Sequence, residues 1–404
     1  MILKIQGGKS LVGSVTVSGS KNAALPVIFS TLLISGTTEI QNMPNIGDVR
    51  VALSILENMG AVIFKSRDSV FINTDKAYYI RPDPGLVSEI RASTYLMGAC
   101  LSRFGRFDIC SFGGCNFSER PIDMHLFAAS SLGATVSEDR LSASALRGGE
   151  IRFVKKSVGA TVNAILMAMG ATGTTVIRSA AKEPHIMFLV DFLNSCGGDI
   201  RVDGDTLVIH QKPLTGTKIR LIGDMIEAGT YISAALLTNG RLNILGVSTE
   251  ELAGVADLLN RTGAVVIRRK DSLYVDGKVC ESFFVSSGPY PEFPTDLQPI
   301  FAPLMTAAGG KIIDNIWQER FGYLDALGLF GVRYLRIPKG AMIYQSQLKA
   351  ASATAPDLRG GAACVLAALA AEGQSRVYSA EKIMRGYDSL VQKLNSLGAE
   401  ISLF

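Results

Sequence analysis

Six Leu-rich stretches of this 404-residue chain each end in a glycine that is followed by a short apolar run. The glycines recur with a period of about 68 residues: Gly60, Gly133, Gly197, Gly263, Gly331 and Gly398. A glycine just past a helix takes the left-handed φ that closes the last turn, and the apolar run after it suits a strand. The pattern therefore predicts one helix-then-strand unit that is copied six times.

A second helical stretch, rich in small residues, precedes each of these units. A helix that is apolar on all sides is usually buried on all sides, so these six stretches are predicted to be interior helices. They are Lys21–Gly36, Ala92–Gly105, Ser157–Gly173, Asp224–Gly240, Thr295–Gly310 and Asp357–Gly373. The more amphipathic helices before the repeat glycines should lie outside. Because neither end of the chain resembles a polar cap, two closed groups of three units fit better than an open solenoid.

The composition of the chain argues against several classes of protein. The net charge is only +4 and no Lys/Arg run occurs, which disfavours a nucleic-acid partner. The uncharged window 157–177 contains three glycines and Asn163, which disfavours a membrane span, and the amino terminus lacks the apolar segment of a secretory signal. Six scattered cysteines without a C-x-x-C motif indicate free thiols, and three scattered histidines make a metal site unexpected. We therefore expect a cytoplasmic protein that binds small molecules.

Polar residues recur where the interior helices begin. At three of these positions the side chain is a typical helix cap: Asp224, Thr295 and Asp357. Capping does not account for Lys21, Arg91 and Arg359, because a cation at a helix N-terminus opposes the macrodipole by about 0.3–1 kcal/mol. An anion between the cation and the exposed N–H groups relieves that conflict. The pattern predicts a site for a ligand that carries phosphates and carboxylates.

A glycine-started loop, Gly113–Asp123, presents Cys115 five residues before Arg120. Two preceding glycines and the polar residues after the cysteine indicate an exposed thiol, and a nearby arginine favours the thiolate. The alternative for any cysteine is a small buried side chain, and that interpretation is favoured for most of the six.

Each of three further charged residues fits both a functional and a purely structural interpretation. Asp296 ends the segment Pro291–Asp296 at the start of an interior helix, where a catalytic base and a helix cap fit the pattern equally. Arg320 and Arg385 lie in connections after strands, where a solvated surface charge is the alternative to anion binding.

Six motifs together resemble those of the enolpyruvyl transferases, and among them the UDP-N-acetylglucosamine 1-carboxyvinyltransferases. The motifs are residues 18–26, 113–123, 156–161, 226–230, 293–296 and 357–359. The resemblance runs in order from Ile2 to about Ile401 and so covers essentially the whole chain. The Gly-Gly-Cys loop separates the chain from the sister 5-enolpyruvylshikimate-3-phosphate synthases, which lack a cysteine there.

The resemblance implies a two-domain, inside-out α/β barrel with three α/β units per domain, in agreement with the six-fold period. It assigns residues 22–223, with the Cys115 loop, to one domain, and residues 1–21 and 224–404 to the other. The active site is then expected in the cleft between the domains.

The resemblance also implies the reaction. The enolpyruvyl group of phosphoenolpyruvate is transferred to the 3′-hydroxyl of UDP-N-acetylglucosamine through a tetrahedral intermediate, with release of phosphate and no cofactor or metal. This is the first committed step of peptidoglycan precursor synthesis, and the target of fosfomycin. Two alternatives stay open: an enolpyruvyl transferase for another nucleotide acceptor, and a non-catalytic paralogue that binds the nucleotide sugar and regulates. The oligomeric state stays open as well.

Roles carry over from the family by matching positions. Cys115 matches the proton donor, Asp296 matches the carboxylate that faces the acceptor hydroxyl, and Lys21 is the third catalytic position. The positions that match phosphoenolpyruvate-binding residues are Lys21, Asn22, Arg120, Arg320, Arg359 and Arg385. Those that match nucleotide-sugar-binding residues are Asn22, Arg91, Arg120, Pro121, Ile122, Asp123, Met124, Lys155, Lys156, Ser157, Val158, Asp296 and Ile316.

Several positions depart from the family pattern and bear on acceptor choice and rate. They include Glu119, Met225, Gln318, Tyr323 and Met384. Glu119 places a negative charge beside Arg120, which would weaken phosphate capture or disfavour the Cys115 thiolate.

Overall fold

The computed structural model describes residues 1–66, 69–114 and 120–404. The predicted proton donor Cys115 and the departure at Glu119 lie outside the described residues. The described chain divides into two compact units. The central unit comprises residues 19–114 and 120–222, and the terminal unit comprises residues 1–18 and 223–404.

The central unit is built of α-helices and short strands. Its helices are Lys21–Ser30, Gly47–Asn58, Pro84–Glu89, Leu96–Phe104, Asp123–Ser131, Val158–Gly170 and Pro184–Ser195, with 3₁₀ turns at Thr31–Leu33 and Arg91–Tyr95. Its strands are Ile34–Ser35, Thr37–Gln41, Val62–Lys65, Ser69–Asn73, Arg106–Asp108, Thr135–Val136, Arg140–Ser142, Glu150–Arg152, Thr174–Arg178, Asp199–Asp203, Thr206–His210, Leu214–Thr215 and Lys218–Arg220.

The terminal unit repeats the same alternation. Its helices are Met225–Leu237, Ala253–Asn260, Gln298–Phe301, Tyr323–Leu329, Leu358–Ala370, Glu381–Met384 and Leu390–Ser396, with a 3₁₀ turn at Pro303–Thr306. Its strands are Ile2–Gly7, Val12–Thr16, Arg241–Leu245, Val265–Arg269, Ser272–Asp276, Phe283–Ser287, Gly310–Asp314, Arg333–Ile337, Gly340–Tyr344, Ser352–Thr354, Gly373–Tyr378 and Glu400–Leu403.

The six repeat glycines confirm the predicted period. All six have a φ between 86° and 103°, which is the left-handed region that favours glycine. A helix ends two or three residues before each glycine, and a strand begins two residues after it. The helix-then-strand unit predicted from the sequence is therefore present six times.

Among the described residues, five four-stranded sheets share one pairing pattern, in which one parallel pair is followed by two antiparallel pairs. In one of them the parallel pair is Ser352–Thr354 with Gly373–Tyr378. The first strand, Ile2–Gly7, lies antiparallel between Gly373–Tyr378 and the last strand, Glu400–Leu403. The two ends of the described chain thus share a sheet in the terminal unit.

The small-residue helices are interior, as predicted. Ten consecutive residues of helix Val158–Gly170 are buried, as are twelve consecutive residues of Leu358–Ala370. The amphipathic helix Leu390–Ser396 buries only Leu390 and Leu394. The interior positions form two hydrophobic clusters, one in each unit.

Three of the predicted interior helices are partly 3₁₀, and the one in the terminal unit differs most from the prediction. The stretch predicted as Thr295–Gly310 begins as a helix only at Gln298, ends at Phe301 and continues as a 3₁₀ turn from Pro303. Pro303 has no N–H to donate to the preceding turn, and its ring clashes with a continuing α-helix. Thr295 and Asp296 therefore precede the helix, and their side chains are available for other contacts.

Membrane-spanning helices and clusters of metal-binding side chains are two features that would point to particular classes of protein. No helix among the described residues has the length and the apolar character that crossing a membrane requires. The same residues contain no group of three or more His, Cys, Asp or Glu side chains that could hold a metal ion.

Candidate active site

In the terminal unit, Asp296 lies between two arginines that come from distant parts of the chain. Its Oδ1 accepts a hydrogen bond from Arg320 Nη1 at 2.7 Å. Its Oδ2 accepts from Arg359 Nε at 3.2 Å and from Nη2 of the same side chain at 3.1 Å. The structure therefore brings together three of the residues predicted from the sequence.

The two guanidinium groups are buried, while the carboxylate between them reaches solvent. Arg320 and Arg359 are 4% and 2% exposed, whereas the Asp296 side chain is 30% exposed. Burial has the largest single effect and by itself would lower the pKa of each arginine, but the charge of Asp296 together with the other acidic groups nearby outweighs it and the pKa of both is raised. Both therefore stay charged, and the cluster keeps an excess of one positive charge.

This arrangement corrects two readings. The reading of Arg320 as a solvated surface charge is wrong, since Arg320 is buried. Thr295 does not cap a helix: its hydroxyl donates to Asp314 Oδ2 at 2.6 Å, because the helix starts only at Gln298. Asp314 Oδ1 in turn accepts from the backbone N–H groups of Ile316 and Trp317, which fixes the start of the loop that carries Arg320.

The start of helix Leu358–Ala370 positions Arg359. The predicted cap Asp357 is confirmed, because its carboxylate accepts from the backbone N–H of Arg359 and of Gly360. The Arg359 guanidinium lies 5.4 Å from the ring centroid of Tyr387, which adds a cation–π contact. Its Nη1 is buried and has no hydrogen-bond partner among the described residues. That nitrogen is a donor that a substrate oxygen could satisfy.

A second buried hydrogen-bond network in the terminal unit was not predicted from the sequence. Glu227 accepts hydrogen bonds from Lys393 Nζ at 2.7 Å, from the Ser18 backbone N–H at 2.8 Å and from the Tyr231 hydroxyl at 3.2 Å. Burial raises the pKa of Glu227. The predicted cap Asp224 is confirmed at the start of the same helix. Only the position of Glu227 in the first helical turn pointed to this network.

In the central unit, Lys21 begins the first interior helix and forms an ion pair with Asp48 at 3.1 Å. Both side chains are largely buried. The conflict between the Lys21 charge and the helix dipole is thus reduced by a carboxylate of the protein itself. Asp48 was not predicted, because it lies 27 residues further along the chain in another helix.

Arg91 and Arg120 lie side by side in the central unit. Arg91 Nη2 donates to the backbone carbonyl of Arg120 at 2.5 Å. A Cβ on Gly114 would lie 3.0 Å from Arg120 Nη1 and 3.1 Å from Arg91 Cβ, so the glycine lets the loop backbone pass close to both. Burial, with the charge of Arg120, lowers the pKa of Arg91 to about 10. The structure thus places two of the predicted ligand-binding arginines next to each other.

The other predicted residues are distributed over both units. Arg385, half-buried after helix Glu381–Met384, and Ile316, at the loop fixed by Asp314, belong to the terminal unit. The predicted residues of the central unit lie at or just before helix starts: Asn22, Pro121, Ile122, Asp123, Met124, Lys155, Lys156, Ser157 and Val158. Ser157 caps its helix by accepting from the Ala160 N–H.

Replacing Lys21 with alanine is expected to weaken binding of an anionic substrate. One charge-assisted hydrogen bond contributes about 1.5–3 kcal/mol, so the affinity for phosphoenolpyruvate or the turnover should fall about ten- to a hundredfold. Binding of the nucleotide sugar alone should fall much less. Titration of each ligand separately measures the difference, and Arg385→Ala should show the same pattern. Equal losses for both ligands would contradict a role in phosphate binding.

The known proteins that are similar to this chain agree with one another, and the similarity extends over nearly the whole chain. Residues 5–394 match the family model described as EPSP synthase (3-phosphoshikimate 1-carboxyvinyltransferase). The UDP-N-acetylglucosamine 1-carboxyvinyltransferase of Chlorobaculum parvum is 38% identical over 412 residues, which cover 99% of this chain and 97% of that protein. The UDP-N-acetylglucosamine 1-carboxyvinyltransferase 3 of Caldanaerobacter subterraneus subsp. tengcongensis is 38% identical, with 98% of each chain covered.

Among solved structures, the crystal structure of the enolpyruvyl transferase NikO from Streptomyces tendae is similar to this chain. The TM-score is 0.90 at 26% sequence identity, and the match covers 99% of this chain and 98% of that one. This similarity supports the inside-out α/β fold that was expected from the sequence.

Proposed function

The chain belongs to the EPSP synthase family of 1-carboxyvinyltransferases, and from this premise we propose that its acceptor is UDP-N-acetylglucosamine. It transfers the enolpyruvyl group of phosphoenolpyruvate to the 3′-hydroxyl of the nucleotide sugar and releases phosphate. The product enters peptidoglycan precursor synthesis. The acceptor rests on the name shared by the relatives at 38% identity over nearly the full chain.

The observation that carries the chemistry is the buried cluster of Asp296, Arg320 and Arg359. Asp296 is the group in this cluster that reaches solvent, so it is suited to take the proton of the acceptor hydroxyl. Arg320 and Arg359 bind the carboxylate of phosphoenolpyruvate through charge-assisted hydrogen bonds. Their fixed charges also stabilise negative charge that develops in the transition state.

The reaction proceeds by addition and elimination. Carbon 3 of phosphoenolpyruvate gains a proton from Cys115, and carbon 2 gains the acceptor oxygen as Asp296 takes the hydroxyl proton. In the elimination the Cys115 thiolate takes a proton back from carbon 3, the carbon 2–phosphate bond breaks, and the phosphate leaves with the proton that Asp296 had taken. Lys21, Arg120 and Arg385 hold the phosphate through both steps. The cleft between the domains and the cytoplasmic location stay predictions from the sequence.

The test is phosphate release from phosphoenolpyruvate with a panel of nucleotide sugars. UDP-N-acetylglucosamine should give the highest kcat/KM. An enzyme for another nucleotide, the second candidate, would prefer a different acceptor, and a regulatory paralogue would bind the nucleotide sugar without releasing phosphate. The 38% identity to the named carboxyvinyltransferases favours neither alternative.

Fosfomycin, an epoxide that mimics phosphoenolpyruvate, is expected to alkylate Cys115 and no other cysteine. Cys100, Cys196 and Cys364 are buried, so they are protected from the reagent. Exposed Cys280 lies in the terminal unit and serves as the internal control for unselective alkylation. Peptide mass mapping decides the outcome.

Cys115→Asp should resist the epoxide and keep part of the activity, because a carboxylic acid can also protonate carbon 3. Labelling of Cys280 at the same rate as Cys115, or an active enzyme that is not labelled at all, would remove Cys115 from the proposed mechanism.

A further inference from the structure

Asn163, in the interior helix Val158–Gly170, is a buried polar side chain of the central unit that forms several hydrogen bonds. It is 0% exposed. Its Oδ1 accepts from the Gly98 backbone N–H at 2.7 Å, and its Nδ2 donates to the Thr94 carbonyl at 3.0 Å. These two backbone partners fix the orientation of the amide, because one can only donate and the other can only accept.

The same Nδ2 lies 2.7 Å from Nδ1 of His125, which is also buried. Since the amide nitrogen donates, Nδ1 must accept, and the imidazole proton is on Nε2. Burial, with the nearby charge of Arg91, lowers the pKa of His125 to about 4, while Asp123 has a smaller, opposing effect. His125 is therefore a neutral hydrogen-bond acceptor at neutral pH.

The partners of Asn163 lie next to three of the four segments of the central unit that carry predicted nucleotide-sugar-binding residues; the fourth segment carries Asn22. Thr94 and Gly98 follow Arg91. His125 directly follows residues 120–124, and the helix of Asn163 directly follows Lys155–Ser157. The Asn163 amide thus forms hydrogen bonds with residues that adjoin two of these segments, and its own helix adjoins the third. The segments are about 30 residues apart in the sequence.

Two glycines allow the backbone to lie close to the Asn163 and His125 side chains. A Cβ on Gly98 would lie 2.8 Å from Asn163 Oδ1, and a Cβ on Gly159 would lie 3.0 Å from His125 Cε1. The distance at Gly98 is too short for a real Cβ, and at Gly159 a Cβ would force His125 to shift by a few tenths of an ångström, so both glycines favour the close approach. The network is part of how the two helices and the Arg91 segment pack together.

We propose that Asn163 is a positioning residue for nucleotide-sugar binding: its amide holds the Arg91, 120–124 and 155–158 segments in the arrangement that binds the ligand. The inference rests on the proposed function. It predicts that changes at Asn163 affect the nucleotide sugar more than phosphoenolpyruvate, which shares only Arg120 with these three segments and otherwise binds through the Lys21–Asn22 segment and residues of the terminal unit. A purely structural residue would not separate the two substrates.

Asn163→Ala is expected to raise the KM for UDP-N-acetylglucosamine about tenfold or more, because three hydrogen bonds are lost. At saturating nucleotide sugar, kcat and the KM for phosphoenolpyruvate should stay within about threefold of wild type. The matched control is Thr74→Val in the same unit. Thr74 is 1% exposed and its hydroxyl donates to the Thr31 carbonyl at 2.7 Å, which lies outside the three segments. The control should lower the melting temperature and leave both KM values unchanged.

His125→Phe is the second probe, and it serves if Asn163→Ala does not fold. Phenylalanine keeps an aromatic ring but removes the nitrogen that accepts from Asn163, so the KM for UDP-N-acetylglucosamine should rise in the same direction. The double variant should be no worse than Asn163→Ala, because both changes break the same bond.

Two outcomes would overturn the inference. One is an equal rise of both KM values in Asn163→Ala, and the other is the same rise of the nucleotide-sugar KM in Thr74→Val. A wild-type protein that neither binds nor turns over UDP-N-acetylglucosamine would instead overturn the proposed function, so the two failures are distinguishable.

Discussion

Replacing Asp296 with asparagine is expected to lower kcat by about 10²–10⁴-fold, the range typical of a lost general base. Asparagine has nearly the same shape but carries no charge and cannot take the hydroxyl proton. It also leaves the buried Arg320 and Arg359 guanidiniums without the carboxylate that lies between them. Because removing one partner of a buried ion pair is costly, the free energy of unfolding should fall by about 3 kcal/mol. Phosphate release and thermal unfolding measure the two effects.

The matched control is Asp325→Asn in the same unit. Asp325 also accepts from an arginine, Arg336, at 2.6 Å, but both side chains of that pair are about half exposed or more. An exposed ion pair contributes only about 0–1 kcal/mol, so this variant should keep both its stability and its kcat. If Asp296→Asn lost stability and kept its kcat, Asp296 would be a structural counter-ion and the catalytic base would lie elsewhere.

The repeat and the fold could be predicted from the sequence because each signal is local. A glycine at a helix end needs a positive φ, and that requirement depends on its immediate neighbours, so all six positions were found. Capping by Asp224 and Asp357 was predicted for the same reason. Thr295 was misread because its helix begins only at Gln298 and Pro303 prevents it from continuing, and the pattern of small residues reports neither the late start nor the early end.

The partners of the charged residues could not be predicted in the same way. Arg359 and Asp296 are 63 residues apart, and Glu227 and Lys393 are 166 residues apart. Such pairs form only when separate repeats fold together, and no local pattern encodes which repeats face each other. The resemblance to the family supplied the members of the Asp296 cluster, but not Asp48 or Asn163, which act through other residues.

Replacing Arg359 with lysine is expected to lower kcat/KM for phosphoenolpyruvate by about 10²–10⁴-fold. Lysine keeps the charge but lacks the planar fork of donors. In the structure, Nε and Nη2 of Arg359 both donate to Asp296, and the buried Nη1 is the donor proposed to bind the substrate carboxylate. Losing two charge-assisted hydrogen bonds at about 1.5–3 kcal/mol each accounts for that range.

The control for this change is Arg336→Lys. Arg336 donates to Asp325 from one nitrogen at the surface, where an ammonium group can replace the contact, so activity should not change. Steady-state kinetics with each substrate varied in turn separate the two possible roles of Arg359. A selective loss for phosphoenolpyruvate supports a group that binds the substrate carboxylate. If kcat fell while the KM for phosphoenolpyruvate stayed at the wild-type value, Arg359 would act only by orienting Asp296, and the substrate carboxylate would have to bind at other residues.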